Sequence, residues 1–213
     1  GLGATKAVNS NQTLYRSAMK ALYDFEFEHL KGNLNKHAEG TVNLANPDLH
    51  DGQVFIDEKS KTVTVIDFGQ AIPIQSKERG LGTDILAFIS GLISSQTYQQ
   101  KMLSYQSIFN SNKKIPMKDL HEVSLKSDQM SRFVHLIAMH SRAGIELPLS
   151  TVHWVFGVNR LRVLGKKIGL RPDITIGSIV YGKKVSDTAK NIWQKIGITD
   201  SGRKGEKNSC VNF

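Results

Sequence analysis

Two β-branched runs, Val54-Phe55-Ile56 and Val63-Thr64-Val65-Ile66, flank a polar stretch, Asp57-Glu58-Lys59-Ser60-Lys61. Extended-chain formers on both sides of a polar turn are the signature of a β-hairpin. Each run opens at its far end onto a loop with acidic residues: Asn46-Pro47-Asp48-Leu49-His50-Asp51-Gly52-Gln53 enters the first, and Asp67-Phe68-Gly69 leaves the second. Antiparallel pairing therefore carries both loops to one place, and with them Asp48, Gln53 and Asp67. No other feature limits the fold so tightly, and it is the one clear β element that the sequence offers.

Two carboxylates and an amide oxygen gathered by one hairpin suit phosphoryl transfer from ATP. That chemistry needs a carboxylate near the acceptor and hard oxygen ligands that hold Mg²⁺ against the phosphates, because positioning and charge neutralisation supply most of the catalysis. Asp48 precedes Gln53 by five residues, the spacing of the catalytic Asp and the metal-binding Asn in the protein-kinase catalytic loop, and Asp67 opens an Asp-Phe-Gly tripeptide. Alone that tripeptide says little, since a glycine after a strand is usually a turn. The order loop, strand, turn, strand, Asp-Phe-Gly carries the weight against the alternative of an unrelated hairpin. The expectation is an α+β protein-kinase-like fold, a mostly α-helical C-lobe in which one hairpin carries the catalytic and Asp-Phe-Gly loops. Asp48 is the expected catalytic residue; Asp48, Gln53 and Asp67 bind the cofactors ATP and Mg²⁺, with Gln53 and Asp67 as metal ligands.

Around the hairpin the pattern is helical. Leu14, Ala18, Leu22, Phe25 and Leu30 predict an amphipathic helix that Gly32 stops. Ile85, Phe88, Ile89, Leu92 and Ile93 form one apolar face, and Phe133, Leu136, Ile137 and His140 another; Pro116 and Pro148 punctuate this half. A further helix is expected over residues 150–164, with Trp154 in the core, and a last amphipathic one over Val185, Ala189, Ile192, Trp193 and Ile196. The division expected is 1–180 for the kinase-like lobe and 181–213 for the terminal helix and a basic tail.

The loop Asp48-Leu49-His50-Asp51-Gly52-Gln53 resembles the D-P-H-P-G-N loop of the UbiB family of atypical kinases. Aminoglycoside and choline phosphotransferases share a similar loop, so the loop leaves a small-molecule phosphotransferase open. Later segments favour UbiB. The stretch from Asp67-Phe68-Gly69-Gln70-Ala71 to Lys77-Glu78-Arg79 resembles that family's segment after Asp-Phe-Gly, and Ile145-Glu146-Leu147-Pro148 with Leu161 to Asp173 resembles its C-terminal helices. The resemblance covers roughly residues 15–176. It implies an ATP- and Mg²⁺-dependent phosphotransferase or ATPase acting on a protein or lipid, with a link to isoprenoid-quinone metabolism.

Departures from the family pattern carry expectations too. Gln53 stands where the family has Asn, and one extra methylene displaces the ligand oxygen by about 1.5 Å, enough to weaken or alter octahedral Mg²⁺ binding. Asn46 replaces the usual His and Asp51 the usual Pro; Asp51 reads as a solvated loop acid, with substitute metal ligand as the alternative. Some 47 residues precede Asp48, too few for an N-lobe, so the ATP-anchoring Lys and its partners are expected upstream or absent. With Gly1 in place of Met, the sequence reads as a fragment, inactive by itself. The rival class is a catalytically weak pseudokinase that acts as a membrane-associated binding module.

Composition narrows the rest. A 213-residue chain with 39% hydrophobic and 22% charged residues is ordinary globular protein. Its apolar stretches are interrupted within ten positions, far short of the roughly 20 residues that span a bilayer. The net charge of +9 is spread along the chain without interleaved aromatics, which argues against a nucleic-acid partner. His135 and His140 lack a zinc-site pattern. The single cysteine excludes an internal disulfide and points to a reducing, cytoplasmic setting. Cys210 stands four from the end in Cys210-Val211-Asn212-Phe213, the position of a prenylation signal, with Arg203, Lys204 and Lys207 just upstream. A prenyl group plus a basic patch supplies the two signals that stable attachment to an anionic membrane takes; the alternative is a chance terminal cysteine.

Overall fold

The computed structural model describes residues 2–3, 12–32, 43–57, 59–60, 62–109, 111–171, 176–177 and 179–180. The expected terminal helix, the basic tail and Cys210 lie outside the described residues. The elements are β1 (Leu2–Gly3), α1 (Gln12–Lys31), β2 (Leu44–Ala45), β3 (Val54–Ile56), β4 (Val63–Val65), β5 (Ile72–Pro73), α2 (Ser76–Ile89), α3 (Ser95–Ser107), α4 (Met117–Ser124), α5 (Gln129–Arg142) and α6 (Leu149–Lys167). The class is α+β and mostly helical.

The expected hairpin forms, β3 and β4 pairing antiparallel with Val54 opposite Val65 and Ile56 opposite Val63. It is not the sole β element, and the expectation is corrected there. β1 adds to its edge through Leu2–Ile56 and Gly3–Phe55, and β2 and β5 form a second small sheet, Leu44 opposite Pro73. Strands of two residues carry too few apolar positions for a period of two to show in sequence.

α6 is the central helix. It packs against both α1 and α2, and its Trp154 is wholly buried, as expected. The Trp154 indole N–H donates to the Leu30 carbonyl at 2.8 Å, serving one of the end carbonyls that α1 cannot satisfy within itself. Close approach on this line needs small residues. A Cβ on Gly157 would lie 3.1 Å from Leu30 Cδ2, and one on Gly82 of α2 would lie 2.5 Å from Trp154 Cε3.

α1 follows its predicted face through Ala18, Leu22 and Leu30, with Glu26 and His29 also buried. Phe25 departs from it. At 41% exposure it lies off the buried stripe, which passes through position 26 instead, and its ring meets His29 edge-on at 4.4 Å. Gly32 ends the helix at φ 74°, as its position predicted. α2 stops earlier than the apolar pattern suggests. Gly91 adopts φ 75° and the Leu92 N–H returns to the Ala87 carbonyl at 2.7 Å, so Leu92 leaves the helical face and is 44% exposed. His140 is buried on α5, its Nδ1 2.7 Å from the Leu136 carbonyl and its Nε2 3.3 Å from the Tyr98 hydroxyl. Burial lowers its pKa to about 4, so the ring is neutral, donating from Nδ1 and accepting at Nε2.

Candidate functional site

The loop between β2 and β3 is shaped by its own short polar side chains. Asn46, buried to 1% exposure, accepts the Asp48 N–H on its Oδ1 at 3.1 Å and turns its Nδ2 toward the Asp67 carbonyl at 3.5 Å. One side chain thus spans the two loops. His50 caps a single 3₁₀ turn, Asp51–Gln53, by accepting the Gly52 N–H on Nδ1, while Gln53 Oε1 accepts the His50 N–H at 3.3 Å. This reciprocal cap fixes the loop just where it enters β3. At the strand end, the Ile66 N–H donates to the Gln53 carbonyl at 2.9 Å, so the hairpin ladder closes directly beneath the site.

Asp67 has φ 63°, the one non-glycine residue with positive φ among those described. Left-handed backbone costs an L residue about 1–2 kcal/mol, least for Asp and Asn, and such strain collects at functional sites. Its carboxylate folds back toward Gly69, where a Cβ would lie 3.5 Å from Oδ1. Asp67 is exposed and Asp48 half-buried, so both carboxylates can meet a ligand. The backbones that bear Asp48 and Asp67 are therefore tied together by Asn46.

Gln53 is placed differently from the two aspartates. It is 4% exposed, with Oε1 engaged in the cap, which leaves its second lone pair for any metal. The remaining donors are two carboxylates. Magnesium is commonly held by one or two protein carboxylates with substrate phosphates and waters completing its shell, and this donor set fits that pattern. Among the described residues, no group of three or more His, Cys, Asp or Glu gathers as a self-sufficient metal cage.

Asp51 has an occupation that the sequence did not reveal. Its Oδ2 accepts from Lys167 Nζ at 2.7 Å and from the Tyr15 hydroxyl at 3.3 Å. The Lys167 hydrogen bond holds the Asp51 carboxyl below its ordinary value. Burial pulls Lys167 down, but the hydrogen bond and charge of Asp51 outweigh it and leave Lys167 raised. Arg160 Nε also donates to the Pro47 carbonyl at 3.2 Å. α1 and α6 thus brace the loop through Tyr15, Lys167 and Arg160. Lys167 lies 116 residues from Asp51, and a contact at such separation leaves no local pattern to read. Asn46 did have a signal, since Asn two residues before an N–H in an Asn-Pro-Asp turn commonly accepts from it.

Among the described residues, no helix is long and apolar enough to cross a membrane. Compared with protein-family models, curated proteins and solved structures, the chain matches none, so its chemistry has to be argued from these residues.

Proposed function

We propose that the loops 46–53 and 67–69 form the phosphate end of an ATP·Mg²⁺ site, in the C-lobe of a UbiB-like phosphotransferase or ATPase. The observation that carries this reading is the Asn46 bridge, with its Oδ1 on the Asp48 N–H and its Nδ2 toward the Asp67 carbonyl. It ties together the backbones that bear the two carboxylates that phosphoryl transfer would use. Asp67 is the principal magnesium ligand. Asp48 orients the attacking nucleophile and accepts its proton, and Gln53 serves first as the clasp of the loop. The bound metal supplies charge neutralisation at the transferring phosphate.

Binding of manganese(II)–ATP to the purified chain, read from water-proton relaxation, tests this. Asp67→Asn is expected to weaken it at least about tenfold. Asp48→Asn should retain binding, and lower turnover by about 10²–10⁴-fold in a preparation that turns over. Equal affinity for the parent and Asp67→Asn would overturn the assignment. The turned-in amide of Gln53 favours a second reading, a site that binds nucleotide without turnover. Binding lost on Asp67→Asn, with no hydrolysis or transfer by the parent chain, would select it.

A further inference from the structure

Away from the hairpin, the C-terminal end of α3 and the segments around residues 111–113 and 144–148 enclose a pocket of about 320 Å³. Pockets for small ligands begin at about this size. Its lining combines aromatic faces with polar atoms that lack partners. Gln106 lies in the wall and is 4% exposed, and its Oε1 is buried with no hydrogen-bond partner; the Tyr105 hydroxyl, also in the wall, is buried and unpartnered too. Glu78, which is not part of this lining, also has a buried oxygen without a partner, Oε2, and its charge reaches Tyr105. Burial raises the Tyr105 pKa and the Glu78 charge adds to the rise, so the phenol stays protonated. Orphaned buried polar groups each cost about 1–3 kcal/mol and call for an explanation.

What would satisfy them follows from their chemistry. In the pocket wall the glutamine oxygen is an acceptor, and the phenol can accept as well as donate. They need a donor. The pocket's own cation does not serve them: Lys113 Nζ donates to the Gly144 carbonyl at 2.5 Å, and Gln106 Oε1 and the Tyr105 hydroxyl stay without a partner. The aromatic wall shows what it attracts. Lys77 Nζ stands 3.7 Å from the Phe109 ring centre and 5.9 Å from that of Tyr105, and the two rings lie 5.0 Å apart. Aromatic faces hold ammonium groups by their quadrupole. Glu146, exposed in the same lining, adds a negative charge at the mouth.

We propose that this pocket binds a small molecule carrying a primary ammonium group on an apolar body. The ammonium donates to Gln106 Oε1 and the Tyr105 oxygen, and the body lies on the Phe109 face that Lys77 covers in the unliganded protein. The site is independent of the ATP reading, because none of its residues belongs to the loops 46–53 or 67–69.

A matched pair of probes tests the proposal: 2-phenylethylammonium and 2-phenylethanol, which share the ring and differ in the head group. Titrations of the full chain are followed by ¹H–¹⁵N shifts of residues 104–109 and 144–148. The ammonium probe is expected to saturate with a dissociation constant in the millimolar range, on the order of what a fragment of this size reaches, and the alcohol to bind at least about tenfold more weakly. Gln106→Leu fills the same space without an acceptor and should weaken the ammonium probe about fivefold or more; Lys77→Met vacates the aromatic face and should tighten it. Tyr105→Phe gives a second route to the same loss should Gln106→Leu fail to fold. A shift that does not saturate by about 50 mM would mean that a water alone meets the Gln106 oxygen, and would overturn the proposal. Equal affinity for ammonium and alcohol, or loss variants that bind like the parent, would overturn it as well.

Discussion

At the scale of single residues, α1 carries an acid where the helix is otherwise apolar. Glu26 is 4% exposed, and burial raises its carboxyl from 4.5 to about 8. The sign follows from proton counting. Between those values the folded state holds a proton that the unfolded state has released, so stability is full below pH 4.5 and falls as pH rises toward 8. His140 acts in the opposite sense. Burial lowers it from 6.5 to about 4, so the unfolded chain binds the extra proton and stability falls as pH drops through that window. His29, buried beside Glu26 and accepting the Leu44 N–H on Nδ1 at 3.2 Å, is lowered by burial and adds to the acid-side loss. From pH 4.5 to 6.5 Glu26 and His140 nearly cancel; above 6.5 Glu26 acts alone over about 1.5 units, or about 2 kcal/mol. Urea unfolding should therefore show a stability maximum near pH 6.5 and a fall of about that size by pH 8, which Glu26→Gln abolishes. A parent stability that is flat from 6.5 to 8 would contradict this. The sequence names Asp48, Gln53 and Asp67 because chemistry is written in residue type and spacing. It is silent on Glu26, whose burial is decided by helix phase against β2 and α6.

At the scale of elements, three helices stop in the same way. After α2, α5 and α6 come Gly91, Gly144 and Gly169 at φ 75°, 65° and 86°. Each is followed by an apolar residue whose N–H turns back to a carbonyl of the last turn: Leu92 to Ala87 at 2.7 Å, Ile145 to His140 at 2.8 Å and Leu170 to Gly165 at 2.8 Å. These are Schellman endings, and glycine followed by an apolar residue is a readable sign of them. Side-chain caps start helices with equal clarity: Ser94 accepts the Thr97 N–H at 3.1 Å before α3, and Asp128 the Ser131 N–H at 2.9 Å before α5. Apolar periodicity locates helix faces better than ends, which explains why Leu92 was placed on α2 and why α6 begins at Leu149, beside Pro148, in place of Ser150. Two glycine substitutions separate the physical reasons for glycine. Nothing lies within 4 Å of a Cβ on Gly91, so Gly91→Ala costs backbone strain alone, about 1–2 kcal/mol. Gly82→Ala gains about 1 kcal/mol of helix propensity. Its Cβ, however, meets the Trp154 ring at 2.5 Å, where overpacking costs about 1–3 kcal/mol. Both variants should melt lower than the parent, and near-ultraviolet circular dichroism should change for Gly82→Ala, which displaces Trp154, and stay the same for Gly91→Ala.

At the scale of the whole molecule, one continuous hydrophobic core runs from Ala18 and Leu22 on α1, through Val54 and Ile56 of the hairpin and Ile85 and Leu86 of α2, to Trp154 and Leu161 on α6. The candidate site hangs on this core by several threads: the hairpin beneath it, Tyr15 from α1, and Arg160 and Lys167 from α6. The Lys167–Asp51 pair is 38% and 28% exposed, which limits it to at most about 1 kcal/mol. Its value to the site is to fix loop position. The sequence could show that two acidic loops meet but not what holds them, because the braces come from helices distant in the chain and are selected by packing. A loop anchored to the core at so many points should open only when the core does. Unfolding is then a single transition, and a ligand at the loops stabilises the whole domain by RT ln(1 + [L]/Kd), about 2.7 kcal/mol at a hundredfold excess over Kd. For a chain of 213 residues that amounts to roughly 5–10 °C in Tm. Saturating Mg²⁺–ATP should raise the Tm of the parent by such an amount in one cooperative step seen alike by far-ultraviolet circular dichroism and tryptophan fluorescence. Asp67→Asn keeps a residue tolerant of positive φ, so the unliganded Tm should hold while the ligand-induced rise disappears. A rise that survives in Asp67→Asn would place nucleotide binding elsewhere, and two separate transitions in the parent would show that the site loops fold apart from the core.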